Sequence, residues 1–424
     1  MPDTLALHGG TPAIPDPLPG AGGGPGVSQI GDREIDAITA LLRRGQLFRH
    51  SENSEVRAFE IEAAQRVGTN HALMVNTGTS ALICGLTALG IGPGDEVILP
   101  GYTYIATAAA VVAVGAVPVI AEIDESLGLD PHDVEAKITP SAKAVIPVHM
   151  QGVPCRLDAI LAIAKRRGLK VVEDCCQCIG GEYRGRMVGS LGDAGAWSLN
   201  YFKIITCGEG GAVFVNDYAA YERACFASDP ALPMWMRDGI ATEGWTQPPF
   251  SAQCYRPSEL LGALARVQLD RLPTVLGHTR RLKKAFLCAL EQPKTYRLQH
   301  VDDPDGDCGI SAAILLPSVE VAHQYAEALT AEGLRCGTGH NEGFPDRHIY
   351  RYWDSILQKR APHPGMSVWD HPAYTGSVEY DRNMCPRTLD TLGRALRFGF
   401  NMNMAEEHAV AMARAINKVD AALG

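Results

Sequence analysis

From residue 71 onward, short apolar segments alternate with longer segments of helical length. The apolar segments are hydrophobic along most of their length, unlike strands that expose one face, and they include HALMVN, DEVILP, VPVIAEI, KAVIPVH and KVVEDC. The segments between them carry helix-forming residues, as in GTSALICGLTALG and LDAILAIAKRRG. Strands buried on both faces and separated by helices predict a doubly wound α/β domain with a mostly parallel sheet.

The pattern changes on either side of this region. Residues 11–26 are rich in proline and glycine and predict an irregular arm, and a helix is expected from Asp32 to Arg44. Beyond about residue 275, a strand in CGISAAILLP, a helix in VEVAHQYAEALTAEG, a strand in LRCGTG and a closing helix predict a smaller α+β domain. We therefore expect an arm over residues 1–27, a large domain over 28–274 and a small C-terminal domain over 275–424.

One long connection interrupts the large domain. Residues 229–250 show little periodicity, and loops of this length inside compact domains are often functional. Trp235 and Trp245 lie in this loop, where they could line a sugar pocket or anchor the loop at a subunit interface.

Composition excludes several classes of protein. The 424 residues carry a formal net charge of -10, which disfavours a nucleic-acid partner. No apolar run is long enough to cross a bilayer, and Met1 to Leu7 lack the features of a secretory leader, so a cytosolic protein is expected. The 12 cysteines include three in EDCCQCIGG, but no second pair stands at zinc-site spacing, and no metal is expected.

Three positions at or near strand ends are candidates for chemistry. Gly78, Thr79 and Ser80 stand where a strand hands over to a helix, and free N–H groups at a helix start bind anions. A plain helix cap made by Thr79 or Ser80 is the alternative. Asp174 ends an apolar strand, where a buried carboxylate needs a partner such as a protonated ring nitrogen, or else an internal cap or ion pair.

The third candidate is Lys203 in NYFKIITCGEGG, a lone amine among apolar and aromatic residues. It follows Ser198 and precedes a run of glycines that lets backbone approach a ligand. It is either a surface lysine or an amine held for carbonyl chemistry. An amine, a carboxylate and a phosphate cradle together match the needs of pyridoxal 5'-phosphate.

At this point the sequence resembles the DegT/StrS-type sugar aminotransferases, which are fold-type I pyridoxal-phosphate enzymes. The resemblance is spread over most of residues 28–400. Its long middle block is EDCCQCIGGEYRGRMVGSLGDAGAWSLNYFKIITCGEGGAVFVND, and it includes NTGTSALICGLTALGIGPGDEVILPGYTYIAT, VGAVPVIAEID, VIPVHMQG, YRPSELLGALARVQLDRL and CPRTLDTLGRALRF. It implies a mostly parallel seven-stranded-type sheet flanked by helices, plus the smaller C-terminal domain.

The resemblance also implies roles. Lys203 is expected to form the Schiff base with the cofactor and to move the proton, and Asp174 to pair with the pyridine nitrogen. Gln177 is expected at the ring's 3-oxygen and Tyr104 on the ring face, although Tyr104 could equally be a core aromatic. The phosphate is expected on Gly78, Thr79, Ser80 and Ser198.

Two departures from the family pattern bear on these roles. The segment that commonly supplies an asparagine to the partner subunit's phosphate here reads Cys254-Tyr255-Arg256, so that contact is in doubt although a homodimer is still expected. Asn200 stands where a histidine is common, three residues before the lysine. Because a small dehydrating branch replaces the lysine by histidine, Lys203 favours transamination.

The implied reaction moves an amino group from L-glutamate or L-glutamine to a ketone or aldehyde of a sugar, high-carbon sugar or cyclitol. One set of cues resembles the 8-amino-octulosonate branch, while GQLFRHSENSEVRAFE resembles the aminohydroxybenzoate and aminocyclitol branch, and both suggest amino-sugar antibiotic metabolism. Other pyridoxal-phosphate reactions (dehydration, racemisation, lyase chemistry) and a non-catalytic regulatory protein are the alternatives.

Substrate contacts are expected from three further residues. Arg256 is a candidate for the donor carboxylate, with an interdomain salt bridge as its alternative. His340 and His348 are candidates to face the acceptor, with surface or structural histidines as theirs.

Overall fold

The molecule combines a large α/β unit with a smaller antiparallel sheet, as described by a computed structural model over residues 4–230 and 245–424. In the large unit the helices are α1 Asp32–Arg44, α2 Glu55–Val67, α3 Gly78–Ala88, α4 Ala106–Ala113, α5 Pro131–Lys137, α6 Leu157–Arg167 and α7 Tyr218–Ser228. The strands are β1 His71–Val75, β2 Glu96–Pro100, β3 Val117–Ala121, β4 Ala142–Val145, β5 Lys170–Asp174, β6 Glu182–Tyr183, β7 Arg186–Met187, β8 Ala194–Ser198 and β9 Gly211–Val215.

Seven of these strands form one sheet in the order β1-β9-β8-β5-β4-β2-β3. The pairs among β8, β5, β4, β2 and β3 are parallel, and β9 runs antiparallel to both of its neighbours. Every residue of β2, β3, β8 and β9 is buried, as expected for a sheet covered on both faces. The prediction of a mostly parallel seven-stranded sheet is confirmed.

The C-terminal part is built on a second, three-stranded antiparallel sheet. Its elements are the helices α8 Glu259–Ala289, α9 Val319–Ala331, α10 Asp354–Leu357, α11 Pro386–Arg394 and α12 Glu406–Leu423, with the strands β10 Arg297–Leu298, β11 Ser311–Leu315 and β12 Ala395–Gly399. The sheet order is β10-β11-β12.

The strand predicted over LRCGTG is wrong. In that segment only Thr338 makes a β-bridge, to Leu396, and the third strand of the small sheet is β12. β12 pairs along its whole length with β11, from Ser311 with Gly399 to Leu315 with Ala395. The edge position that LRCGTG would have taken is therefore largely left as loop.

The long helix α8 connects the two parts. It passes without interruption through residues 274 and 275, the expected domain boundary, and carries Pro273 in its interior. Its first half packs against α1 and α2 and its later part against α12. The division into an arm and two domains stays a prediction. Trp235 lies outside the described residues, and none of the described helices is both long and apolar enough to cross a membrane.

Glu173, the penultimate residue of β5, organises the loop that leads into β8. Its buried carboxylate accepts hydrogen bonds from the backbone N–H groups of Leu191 at 2.7 Å, Gly192 at 2.6 Å and Gly189 at 2.9 Å. The imidazole of His149 lies 3.3 Å away and accepts at Nδ1 from the Cys155 N–H, so Nε2 donates to Glu173. One buried acid thus satisfies four donors beside the carboxyl end of the sheet.

We predict that Glu173→Ala lowers the free energy of unfolding by about 3 kcal/mol or more, because it leaves several buried donors without an acceptor. Urea denaturation checks this, with Glu379→Ala as control, since the Glu379 carboxylate pairs with Lys359 on the surface and its loss should leave the midpoint unchanged. Equal stability of the two variants would show that the loop does not depend on Glu173.

Candidate active site

A cavity of about 520 Å³ opens at the carboxyl ends of the central strands. In parallel sheets these ends are where ligands bind. The residues that follow β1, β2, β5 and β8 all reach it, and its lining comprises Thr77, Gly78, Thr79, Leu82, Thr103, Tyr104, Ala106, Thr107, Val148, Asp174, Cys176, Gln177, Ser198, Asn200, Phe202, Lys203, Glu209 and His348. The fold therefore brings together seven of the predicted cofactor residues from four separate segments.

One wall of the cavity is the N-terminus of α3. Thr77 caps this helix, since its Oγ1 accepts from the Ser80 N–H at 3.0 Å, so the cap expected from Thr79 or Ser80 is wrong. The Ser80 hydroxyl donates to Asn76 Oδ1 at 2.7 Å, and Ser80 is not among the lining residues. Thr79 and the uncapped N–H groups of the first turn remain for an anion.

Two glycines allow the strand ends to approach this helix. A Cβ on Gly78 would stand 2.5 Å from the Cβ of Ser198, and a Cβ on Gly211 would stand 2.3 Å from the Thr77 carbonyl oxygen. Both distances are shorter than van der Waals contact, so a side chain at either position would displace its neighbour. The close packing keeps Ser198 beside the first turn of α3, where both can face one ligand group.

Asp174 is fixed by short hydrogen bonds at the end of β5. Its side chain is buried, Oδ2 accepts from the Thr107 hydroxyl at 2.8 Å, and Oδ1 accepts from the Cys176 N–H at 3.1 Å. Thr107 is in turn 2.7 Å from the hydroxyl of Thr103. Thr107 was not predicted as a site residue, although its position in the first turn of a helix that follows β2 was a usable signal.

The cavity holds two side chains that could act as nucleophiles, Lys203 and Cys176. Lys203 lies in the connection between β8 and β9, held by its backbone N–H to the Asn200 carbonyl at 2.9 Å. Burial, and next the charge of Asp174, raise the pKa of the Cys176 thiol well above its ordinary value. The thiol is therefore protonated at neutral pH, and the amine is the group suited to carbonyl chemistry.

Gln177 lies across the cavity floor with its amide orientation fixed. Its Oε1 accepts from the Gln151 N–H at 3.2 Å. Because one end of the amide accepts from the backbone, the NH₂ group is the end available to a ligand oxygen.

Tyr104 and His348 form the rim. Tyr104 is 45% exposed, and its ring centroid lies 5.3 Å from that of His348. His348 Nδ1 is 2.7 Å from Asp346 Oδ1. Burial opposes ionisation of Asp346, but its hydrogen bonds with His348 outweigh this and the pKa of the carboxyl lies below its ordinary value. The alternative that Tyr104 is a core aromatic is thereby disfavoured, since a large part of its side chain is accessible.

Two predicted substrate residues are not brought to the cavity. Arg256 pairs with Asp229 at 3.3 Å and lies over the ring of Phe48, so its ion pair is within the large unit rather than between domains. His340 packs against Tyr352 with ring centroids 6.1 Å apart, and burial, with the nearby Arg351 charge, lowers its pKa. Trp245 packs on Phe226 at 4.7 Å and lines neither this cavity nor its neighbour.

The donor set fits a phosphorylated pyridine aldehyde. The helix N-terminus with Thr79 and Ser198 offers N–H and hydroxyl donors for a phosphate, and the missing Cβ at Gly78 leaves the cradle open. The same lining offers a buried carboxylate for a ring nitrogen, an amide NH₂ for a ring oxygen and an amine for a carbonyl carbon. The residues that line the cavity therefore offer a partner for each of these groups of the ligand.

Comparison with known proteins gives the same family throughout. The family model described as the DegT/DnrJ/EryC1/StrS aminotransferase family matches residues 28–363. An L-glutamine:2-deoxy-scyllo-inosose aminotransferase of Streptoalloteichus tenebrarius is 42% identical over 222 residues, 51% of each chain. The enzyme of that name from Streptomyces kanamyceticus is 32% identical over 361 residues, 77% of this chain and 78% of the relative. The match spans about half the length of the first of these curated relatives.

Solved structures agree in fold. A 3-amino-5-hydroxybenzoic acid synthase superposes with a TM-score of 0.75 at 25% identity, covering 96% of this chain and 99% of that one. DesV of S. venezuelae, solved with a ketimine intermediate, superposes with a TM-score of 0.71 at 29% identity, covering 91% and 94%. The fold is that of the fold-type I pyridoxal-phosphate aminotransferases, as the sequence resemblance implied, and the chain belongs to the DegT/DnrJ/EryC1/StrS aminotransferase family.

Proposed function

We propose that this chain is a pyridoxal-phosphate-dependent aminotransferase that moves an amino group from L-glutamine or L-glutamate to a ketone or aldehyde of a cyclitol or sugar. The observation that carries the proposal is the meeting of Lys203, Asp174 and the N-terminus of α3 in one cavity. Family membership supports the reaction class and the cofactor. The names of relatives that act on scyllo-inosose compounds support a cyclitol acceptor.

Each part of the cavity has a separate task in holding the cofactor. The first turn of α3, with Thr79 and Ser198, would hold the phosphate, and Gln177 would donate to the ring oxygen. Asp174 would hold a proton on the ring nitrogen, because its buried carboxylate is oriented by Thr107. The bound cofactor supplies an electron sink for the carbon that loses its proton.

Lys203 is the residue that transfers the proton. Its amine would hold the cofactor aldehyde and, when free and neutral, could take a proton from the donor Cα and hold it for return. The thiol of Cys176 does not compete, since it stays protonated. Tyr104 covers one side of the cavity and limits the entry of water.

A homodimer is part of the proposal. Large apolar side chains of the described residues are exposed near the cavity or in the segment before α2, among them Leu47, Tyr201 and Phe202. Phe202 is 71% exposed and directly precedes Lys203. An apolar surface at the mouth of a site is suited to being covered by a second copy of the chain. The same interface would also cover the exposed Cys254.

The first prediction concerns the donor half-reaction. Adding L-glutamine or L-glutamate to the protein loaded with pyridoxal 5'-phosphate should convert the absorbance of the lysine-bound aldehyde to that of the amine form. Lys203→Ala should lack the lysine-bound band and convert slower by about 10²- to 10⁴-fold, as expected for loss of a general acid–base group. A wild type that binds the cofactor through Lys203 but responds to neither donor would refute the aminotransferase assignment.

The second prediction concerns the phosphate cradle. Gly78→Ala should weaken cofactor binding about tenfold or more, because the new methyl group overlaps Ser198. Gly85→Ala is a matched control in the same helix, since its nearest contact would be an ordinary 3.4 Å from Val213. Absorbance titration with pyridoxal 5'-phosphate measures the cofactor affinity of both variants. Equal affinities would show that the first turn of α3 does not hold the phosphate.

The third prediction concerns assembly. Light scattering should give twice the mass of one 45.5 kDa chain, and Phe202→Asp should shift the protein toward the monomer, because a charge would be buried in the interface. Glu379→Ala, on the exposed surface, serves as the control and should leave the mass unchanged. A fully active monomer would contradict the dimer.

A further inference from the structure

The arm that precedes α1 is bound to the C-terminal part of the molecule. Glu332, which follows α9 and is buried, accepts from the backbone N–H groups of Ala6 and Ala13, both at 2.7 Å. Further along the arm, the carbonyl oxygen of Pro19 accepts from the side-chain amide of Asn401 at 3.0 Å. The arm is therefore held at both of these points before it reaches the large unit.

Beyond these points the arm crosses the segment that carries Lys203. The Gly24 N–H donates to the Tyr201 carbonyl at 3.2 Å, and the Gly26 N–H donates to the carbonyl of Lys203 itself at 3.3 Å. The Tyr201 hydroxyl in turn donates to the Gly22 carbonyl at 2.6 Å. These three hydrogen bonds join the arm to the lysine segment, and one of them is made by the lysine.

The lysine segment depends on such partners because it has no regular structure of its own. Residues 201–205 belong to neither a helix nor a strand, so no helix and no sheet ladder supplies donors for their carbonyl groups. On the N-terminal side of the lysine, Tyr201 and Phe202 are 41% and 71% exposed, whereas Ile204 and Ile205 on its other side are buried. The arm thus supplies backbone donors where side-chain packing is weakest.

The contact between arm and lysine segment is close enough to require glycine. A Cβ on Gly24 would stand 2.3 Å from the carbonyl carbon of Phe202, and a Cβ on Gly26 would stand 2.7 Å from the Cα of Ile205. Both distances are shorter than van der Waals contact, and backbone atoms cannot rotate away as the end of a flexible side chain can. A side chain at either position would therefore displace the lysine segment.

The position of this backbone decides where the lysine amine lies. The phosphate cradle is built on α3 and on the end of β8, so a shift of residues 201–205 moves the amine while the cradle stays in place. A misplacement of about 1 Å at a reacting group can slow a reaction about 100-fold. We propose that residues 22–26 of the arm position Lys203 for its reaction with the cofactor aldehyde, an inference that rests on the proposed function.

The test follows the capture of pyridoxal 5'-phosphate by the full-length protein freed of cofactor. In this reaction the amine nitrogen of Lys203 bonds to the aldehyde carbon, and the aldehyde oxygen leaves with the two amine protons as water. The rate at which the lysine-bound absorbance appears is measured against cofactor concentration. The half-saturating concentration then reports binding in the cradle, and the limiting rate reports the reaction of the amine.

Gly24→Ala should lower the limiting rate about 10- to 100-fold and leave the half-saturating concentration nearly unchanged, because the new methyl group displaces the lysine but not the cradle. Tyr201→Phe is a milder variant, since it keeps the ring and removes only the hydrogen bond to the Gly22 carbonyl. It should lower the limiting rate about two- to tenfold, in line with the loss of one hydrogen bond.

Gly20→Ala is the matched control in the same arm. Apart from its chain neighbours, no atom lies within 4 Å of the position of its Cβ, so both constants should equal those of the wild type. A merely structural role of the arm would change binding and limiting rate together, and the split between the two constants excludes it.

The outcomes separate the inference from the proposed function. If Tyr201→Phe captures the cofactor at the wild-type limiting rate, or if both constants change together in Gly24→Ala and Tyr201→Phe, the arm does not position the lysine. The inference is then wrong, while conversion of the cofactor by L-glutamine still supports the proposed function. Where Gly24→Ala does not fold, Tyr201→Phe decides. If the wild type gives no lysine-bound absorbance, the proposed function fails first and the inference falls with it.

Discussion

The carboxylate of Asp174 is the constraint on which the rest of the site depends. It is buried at the end of β5, where a carboxylate needs hydrogen-bond donors or a cation to compensate for the water it has lost. Two donors, Thr107 and the Cys176 N–H, hold its two oxygens in fixed directions, one from the segment that follows β2 and the other from the segment that follows β5 itself. The parallel sheet is what brings these strand ends to one edge, so the fold itself supplies the orientation of the charge.

Glycine performs the complementary task on the other side of the cavity. The close approach of Gly78 to Ser198 and of Gly211 to Thr77 leaves no room for a Cβ, so the proposed phosphate cradle depends on glycine at both positions. Glu173 adds a third restraint, since it fixes the loop before β8 and hence the position of Ser198 at the end of that strand. The Asp174 carboxylate, the Ser198 hydroxyl and the N-terminus of α3 are thus held around one cavity by three independent sets of contacts.

Much of this architecture was predictable because local signals agreed with the global fold. Helix α1 and the strands β1, β2 and β5 carry patterns that fit one structure only, and the structure places them within a few residues of the prediction. β8 was missed because AGAWS begins with two small residues, which are poor strand signals, and here packing against β5 and β9 decides. The strand predicted over LRCGTG is wrong for the opposite reason. The segment has some strand preference of its own, but β12, far along the chain, takes the place beside β11.

The site residues also divide into those that the sequence pattern predicts and those that it does not. Asp174 and Gly78 stand at or just after the ends of strands that the pattern identifies, whereas Lys203 follows β8, which the pattern missed, and was found through the family resemblance. Arg256 was assigned from its position in the sequence, and its partner Asp229 is not predicted by any pattern. Arg397 illustrates the converse, because nothing in RALRFGFN distinguishes it from a surface arginine of an antiparallel edge. Its surroundings are set only when β12 packs it over Tyr102, nearly three hundred positions earlier in the chain. Among the described residues its buried Nε has no hydrogen-bond partner, and this too is a property of the tertiary structure. For this reason the groups that bind a substrate are harder to predict from one sequence than the groups that hold the cofactor.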